Sequence, residues 1–234
     1  LVNGLLYAMG DSLSGINGEL RPGIVHRIDK DPSGLLAVAK NDLAHTVLAS
    51  QLKDHSMHRV YDAIVVGSFR EDSGTVDAPI GRHHTDRKKM AVTPHNSRHA
   101  ITHWEVIARY RGYTHIRCKL ETGRTHQIRV HMAHIGHPIL GDLVYGRKKP
   151  ELGQSSQVLH AGALCFRHPR DGRPVMVFAP LPEIFSLPYS VKLSTHGLQM
   201  LLRRNKNHIF QPDFQPVGVR RDLVGACSSH QMLR

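Results

Sequence analysis

The stretch Gly23-Ile24-Val25-His26-Arg27-Ile28-Asp29-Lys30-Asp31-Pro32-Ser33-Gly34-Leu35-Leu36 decides how this chain is read. Its first half alternates. Ile24, His26 and Ile28 fall on one face of an extended segment, and Val25, Arg27 and Asp29 on the other. Asp31-Pro32-Ser33-Gly34 then predicts a turn, because Pro presets φ and Gly accepts positive φ. Asp29 is expected at the end of a strand, entering that turn. The ordinary fate of such an aspartate is to bond to turn backbone. The alternative is a catalytic carboxylate held on a rigid element beside a loop, and the local pattern alone favours the ordinary reading.

Working outward, residues 35–40 read as a short apolar strand. Asp42 is expected to cap a helix over residues 43–53, with Leu43, Val47 and Leu52 turned inward. Residues 58–69 are strand-like and apolar on both faces beyond Asp62, as in a central strand. Tyr61 alternates there with Ala63 and Val65, so it is expected to face inward; a core tyrosine is the default role. Residues 71–91 are rich in Gly, Pro, His and Arg and read as loops and short ribbons. Residues 100–110 and 113–121 form a hairpin across Arg111-Gly112, with Trp104, Val106, Ala108 and Tyr110 on one face. A helix follows, with Thr125 as N-cap, Gly136 as C-cap and a stripe of Ile128, Met132 and Ile135. Strands return at residues 158–167 and 174–178. The expected class is mixed α+β, a long and mostly antiparallel sheet with flanking helices and loops. The pattern fades beyond about Ser186.

Composition narrows the function. Of 234 residues, 31 are Lys or Arg and 19 are Asp or Glu, a net +12 with His neutral. That excess suits a polyanion, since each cation replacing a condensed counterion gains affinity. The basic residues are interspersed, as between Arg82 and Lys89, so the charge belongs to a folded surface. Cys118, Cys165 and Cys227 lie far apart without a CxxC pair, which excludes a zinc ribbon and suits a reducing, cytoplasmic compartment. No apolar run reaches membrane-spanning length. No P-loop or GxGxxG is present. The chain starts without Met, and the expectation is an excised or incomplete piece of a longer protein.

His126, His131, His134 and His137 cluster, but the helix lacks HExxH and the next carboxylate is Asp142, so no metal site is expected. Arg129 has small neighbours on its helix face, Thr125, Ala133 and Gly136. It could lie flat against the fold and reach an anion. The plain alternative is a solvated helix arginine.

Taken together, these segments carry a resemblance. Residues 23–36 resemble the HRLDxxTSGL signature of RluA-like pseudouridine synthases. His58-Arg59-Val60-Tyr61 looks like that family's second motif, and Leu120-Glu121-Thr122-Gly123-Arg124-Thr125-His126-Gln127-Ile128-Arg129-Val130-His131 is similar to its third. His137-Pro138-Ile139-Leu140-Gly141-Asp142 and Leu159-His160-Ala161 look like two further landmarks, and all five come in the family's order. The wording around Met90-Ala91-Val92 is closest to the ribosomal large-subunit branch.

The resemblance implies a cofactor-free and metal-free RNA isomerase, expected as a monomer, with the catalytic domain at residues 1–186 and an unassigned tail at 187–234. It places Asp29 on the catalytic aspartate, Tyr61 on the active-site tyrosine and Arg129 on the aspartate's basic partner. Arg27 falls on the arginine associated with holding open the flipped-out site. Further RNA contacts are expected from His26, Arg124, His126, Gln127, Arg82 and Lys88. Three departures stand out. Pro32 replaces the usual Thr, the usual leading segment with its small S4 domain is expected to be missing before Leu1, and residues 187–234 show no motif recognised as the family's.

The chemistry needs an unstacked uridine and an ionised Asp29, and pairing with Arg129 favours that charge. Attack at C1′ and abstraction of a sugar proton both start from that carboxylate. A non-catalytic RNA-binding module explains the charge equally well, but not the ordered occurrence of Asp29, Tyr61 and Arg129. A metal-dependent hydrolase built on the histidines is the other rival.

Overall fold

In the computed structural model, which describes residues 1–10 and 12–186, the elements run in the following order. They are α1 (Val2–Met9), β1 (Ser33–Gly34), α2 (Asp42–Lys53), β2 (His58–Val66), β3 (Ser73–Asp77), β4 (Ile80–Arg82), β5 (Met90–Val92), β6 (Ser97–Arg98), β7 (Ile101–Tyr110), β8 (Tyr113–Leu120), α3 (Gln127–His134), β9 (Leu159–Arg167), β10 (Pro174–Phe178) and a 3-10 turn (Glu183–Ser186). The class is mixed α+β, and the long pairs β9–β10, β3–β7 and β7–β8 are antiparallel. Two units divide the described residues: Leu1–Val60 with Ala161–Pro180, and Tyr61–His160 with residues 181–186. The expected tail at 187–234 lies outside the described residues.

In the first unit, β10 pairs antiparallel with β9, Val175 opposite Phe166. Apolar clusters form around Ala39, Leu48, Met57, Phe166 and Val175, and around Leu5, Leu36 and Val38. The cap of α2 lies one residue earlier than expected. Asn41 accepts the Ala44 N–H at 2.9 Å, while Asp42 accepts the Ser14 hydroxyl at 2.7 Å. The inward stripe is correspondingly His45, Leu48 and Gln51, and Leu43 is 64% exposed. Gln51 substitutes for a strand neighbour: its amide donates to the Arg167 carbonyl and accepts the Arg167 N–H.

Residues 23–29 are not a strand, which corrects the expectation. They make a single bridge, Ile24 to Val38, and otherwise bend. The alternation was real but has another cause. Ile24 and Ile28 pack beside Leu5, Leu36 and Val38, whereas Val25 packs against the Ala39 and Phe166 cluster. An irregular segment sandwiched between two clusters shows the same period as a ladder. Residues 35–40 are likewise extended without a ladder of their own.

In the second unit, β2, β8, β7 and β3 are successive neighbours, with β7 antiparallel to both β8 and β3. The hairpin turns at Arg111-Gly112 as its sequence requires, Gly112 taking φ 82°. β2 is buried from Arg59 to Val65, as its two-faced apolar pattern indicates. The region at 71–91 holds β3, β4 and the start of β5, short strands separated by loops as its composition indicates, and β4 sits between β5 and β6 in a separate three-stranded sheet. Ile80, Ala100 and Val130 pack that small sheet against α3, with Met90, Val92 and Tyr145 around them.

Helix α3 begins one residue later than expected. His126 occupies the cap position at φ 55°, and its side chain does not cap. Gln127, the first helical residue, instead ties the preceding loop to the helix start, its carbonyl accepting the Arg124 N–H at 2.9 Å and the Thr122 hydroxyl at 2.7 Å. The C-terminus matches the expectation. Gly136 takes φ 83°, its N–H donates to Ala133 and the next N–H, of His137, donates to Met132.

Candidate active site

The signature segment belongs to the first unit. His26 accepts the Ala37 N–H on Nε2 at 2.9 Å, tying the outgoing segment to the incoming one. Burial, then the nearby Arg59 cation, lowers its pKa to about 4 against a smaller opposing contact with the Arg27 backbone. His26 is therefore neutral at pH 7 and shapes the segment that carries Asp29. Asp29 is half-buried and Arg27 exposed. Gly34 takes φ 109°, and a Cβ there would come within 2.3 Å of the Ala161 carbonyl oxygen. Glycine is required by this close approach to β9 as much as by the turn.

The second unit contains Tyr61 and Arg129. Tyr61 is 8% exposed on β2, inward as expected. Beside it in sequence, Asp62 accepts from His115 at 2.9 Å and Arg117 at 3.3 Å. Burial opposes the charge on Asp62, but those two partners outweigh it and its pKa is lowered.

Arg129 is not solvated. Its Nε donates to Asp142 Oδ2 at 2.7 Å and its Nη2 to Asp142 Oδ1 at 3.0 Å. The Tyr145 ring lies 5.0 Å from the guanidinium carbon. Asp142 and Tyr145 are the residues that the sequence reading missed here. The signal available was the Gly141-Asp142 pair, a glycine at φ 77° followed by a carboxylate positioned to take the next backbone N–H groups.

The remaining candidates divide into two groups. Gln127 is 3% exposed, and its amide nitrogen donates to the Ile101 carbonyl and to Thr102 Oγ1, so its polar atoms are spent inside the fold. His126 pairs through Nδ1 with the Tyr145 hydroxyl at 2.8 Å. Arg124 is half-buried and donates to the His99 carbonyl. Arg82 and Lys88 are exposed near the ends of β4 and β5, Arg82 donating to the Arg87 carbonyl.

The four histidines at 126–137 serve different partners. His131 is fully buried between Thr102 Oγ1 and the Ala78 carbonyl, and burial lowers its pKa. His137 bonds to the Val66 carbonyl and stacks on Phe69 at 3.9 Å, while His134 is exposed. No group of three metal-ligating side chains occurs among the described residues. No helix among them is long and apolar enough to cross a membrane.

Comparison with known proteins fixes the kinship. Residues 9–134, more than half of the chain, match the RNA pseudouridylate synthase family. The chain belongs to that family. It is 55% identical over 183 residues to a Bacillus subtilis protein named as an uncharacterized RNA pseudouridine synthase, YlyB, covering 78% of this chain and 59% of that one. It is 47% identical over 215 residues to the ribosomal large subunit pseudouridine synthase D of Zymomonas mobilis, covering 88% and 65% respectively. The chain thus spans about three fifths of the length of these relatives. Among solved structures, the human RNA pseudouridylate synthase domain containing 1 superposes with a TM-score of 0.62 at 29% identity, covering 77% of this chain and 80% of that one. The chain therefore has the family's fold as well as its sequence.

Proposed function

We propose that this chain isomerises uridine to pseudouridine in structured RNA, with large-subunit ribosomal RNA as the target class. Family membership over residues 9–134 is the observation that carries the reading. Similarity to proteins named ribosomal large subunit pseudouridine synthase D supports the target. The net charge of +12 suits a polyanionic substrate.

The reaction is an isomerisation. The N1–C1′ bond breaks, the uracil turns, and a C5–C1′ bond forms. The proton lost from C5 is balanced by the one gained at N1, so no oxidant or energy source is consumed. The base must leave its stack first, at a cost of about a few kcal/mol. Asp29 is proposed as the ionised carboxylate acting at the sugar, Tyr61 as the ring against the uracil and a proton relay, and Arg129 as the cation that favours the charged aspartate. Arg27, exposed two residues before Asp29, is proposed to hold the vacated position in the RNA, and Arg82 and Lys88 to contact phosphates.

Incubation of the chain with unmodified ribosomal RNA, followed by mapping of pseudouridine, tests the reading. Site-limited pseudouridine supports it. Salt-sensitive binding without any new pseudouridine would favour the RNA-binding module instead.

A further inference from the structure

The Arg129 guanidinium is fixed from several directions by groups within its own unit. Two hydrogen bonds to one carboxylate define its plane, with Nε on Oδ2 at 2.7 Å and Nη2 on Oδ1 at 3.0 Å. The carboxylate is itself immobilised. Asp142 is 1% exposed, and Oδ1 also accepts the N–H groups of Val144 at 3.0 Å and Tyr145 at 3.1 Å. Its backbone closes a tight loop, the Asp142 N–H donating to Ile139 and its carbonyl accepting from Gly146. Side-chain rotation would therefore break several bonds at once. The Tyr145 ring covers the guanidinium at 5.0 Å, and the ring is anchored because its hydroxyl accepts the Met90 N–H at 2.8 Å.

We propose that Asp142 is a positioning residue, which with Tyr145 sets the direction in which Arg129 presents its charge. The proposal deepens the reading above and rests on it, since direction matters only if Arg129 serves the reaction. Stability alone is a poor reason for this arrangement, because well-packed apolar residues usually replace a buried ion pair without loss. A planar fork gripped along one edge and covered on one face specifies orientation, which a lysine in the same place could not reproduce. The carboxylate also reaches Arg129 from a loop rather than from α3, so the loop at 139–146 sets the register of the pair.

The test is a double-mutant cycle of Asp142→Asn and Arg129→Lys under single-turnover and steady-state conditions with unmodified ribosomal RNA. Asp142→Asn should lower kcat by about 10²-fold, the scale of a misplacement near 1 Å, and leave KM for RNA unchanged. In the Arg129→Lys background it should cost little more. An equal loss in both backgrounds, or a change in KM alone, overturns the proposal. A second readout needs no activity: proton exchange at Arg129 Nε–H should be slow in the wild-type chain and fast in Asp142→Asn. Fast exchange in the wild-type chain overturns the proposal by itself. Slow exchange in a wild-type chain that makes no pseudouridine would sink the functional reading instead. Should Asp142→Asn fail to fold, Tyr145→Leu takes its place. A kcat loss confined to the Arg129 background supports positioning, and an equal loss beside Lys refutes it.

Discussion

Acid should destabilise the first unit through one side chain, His26. In the folded chain its pKa is lowered from 6.5 to about 4, chiefly by burial and next by the Arg59 cation. Between those values the unfolded chain holds the proton and the folded chain does not. Stability then rises with pH across the window, is fully present above about 6.5 and is lost as pH falls toward 4. The interval is worth about 3 kcal/mol at most, taking about 1.4 kcal/mol per pH unit. His26→Gln isolates the effect, because a glutamine carbonyl can accept the Ala37 N–H without titrating. Urea unfolding followed by circular dichroism at pH 7.5 and pH 4, with amide exchange at Ala37 as the local reporter, measures it. The wild-type chain should lose about 3 kcal/mol more than His26→Gln over that range. Parallel pH profiles for the two proteins would refute the assignment of a buried neutral histidine.

Gly34→Ala should cost about 1–3 kcal/mol in thermal unfolding, because a Cβ at φ 109° would press on backbone atoms of Ala161; an unchanged Tm would contradict the close approach. Tyr61→Phe should slow single-turnover conversion more than it weakens RNA binding, since the ring stays and the hydroxyl goes; an unchanged rate would leave Tyr61 a packing residue. RNA affinity should fall steeply with salt, and replacing Arg82 and Lys88 together by Ala should lower the slope of log K against log salt by about 0.7–0.9 per lost phosphate contact. A slope equal to that of the wild-type chain would remove both residues from the interface.

Legibility varied with the kind of interaction. The hairpin of β7 and β8 was plain because its signals are local: an alternating strand, a Gly at the turn, a second strand. So was the end of α3, where Gly136 takes the left-handed conformation that glycine tolerates. The segment at 23–29 misled because alternation reports burial on two sides and not the ladder that defines a strand. The helix starts were misplaced for a related reason. Asn41 and Asp42 are both good caps, and the choice depends on Ser14, which is 28 residues away from Asp42. Gln127 is expected to contact RNA, and its burial has no local signal, because the carbonyls and hydroxyls that saturate it come from other segments. Asp29, Tyr61 and Arg129 are candidates through motif order alone. Asp142 was not assigned to Arg129, because a two-pronged pair spanning 13 residues leaves no period in the sequence.

Whether this chain makes pseudouridine by an aspartate-dependent reaction is tested most directly by the rate of pseudouridine formation by Asp29→Asn. The wild-type chain and the variant are compared in single turnover on the same unmodified ribosomal RNA, with affinity and fold measured in parallel. The substitution keeps the size of the side chain and removes its charge. The expected result is conversion by the wild-type chain and none by Asp29→Asn, with binding and unfolding nearly unchanged. Conversion by Asp29→Asn at a rate near that of the wild-type chain would contradict the account.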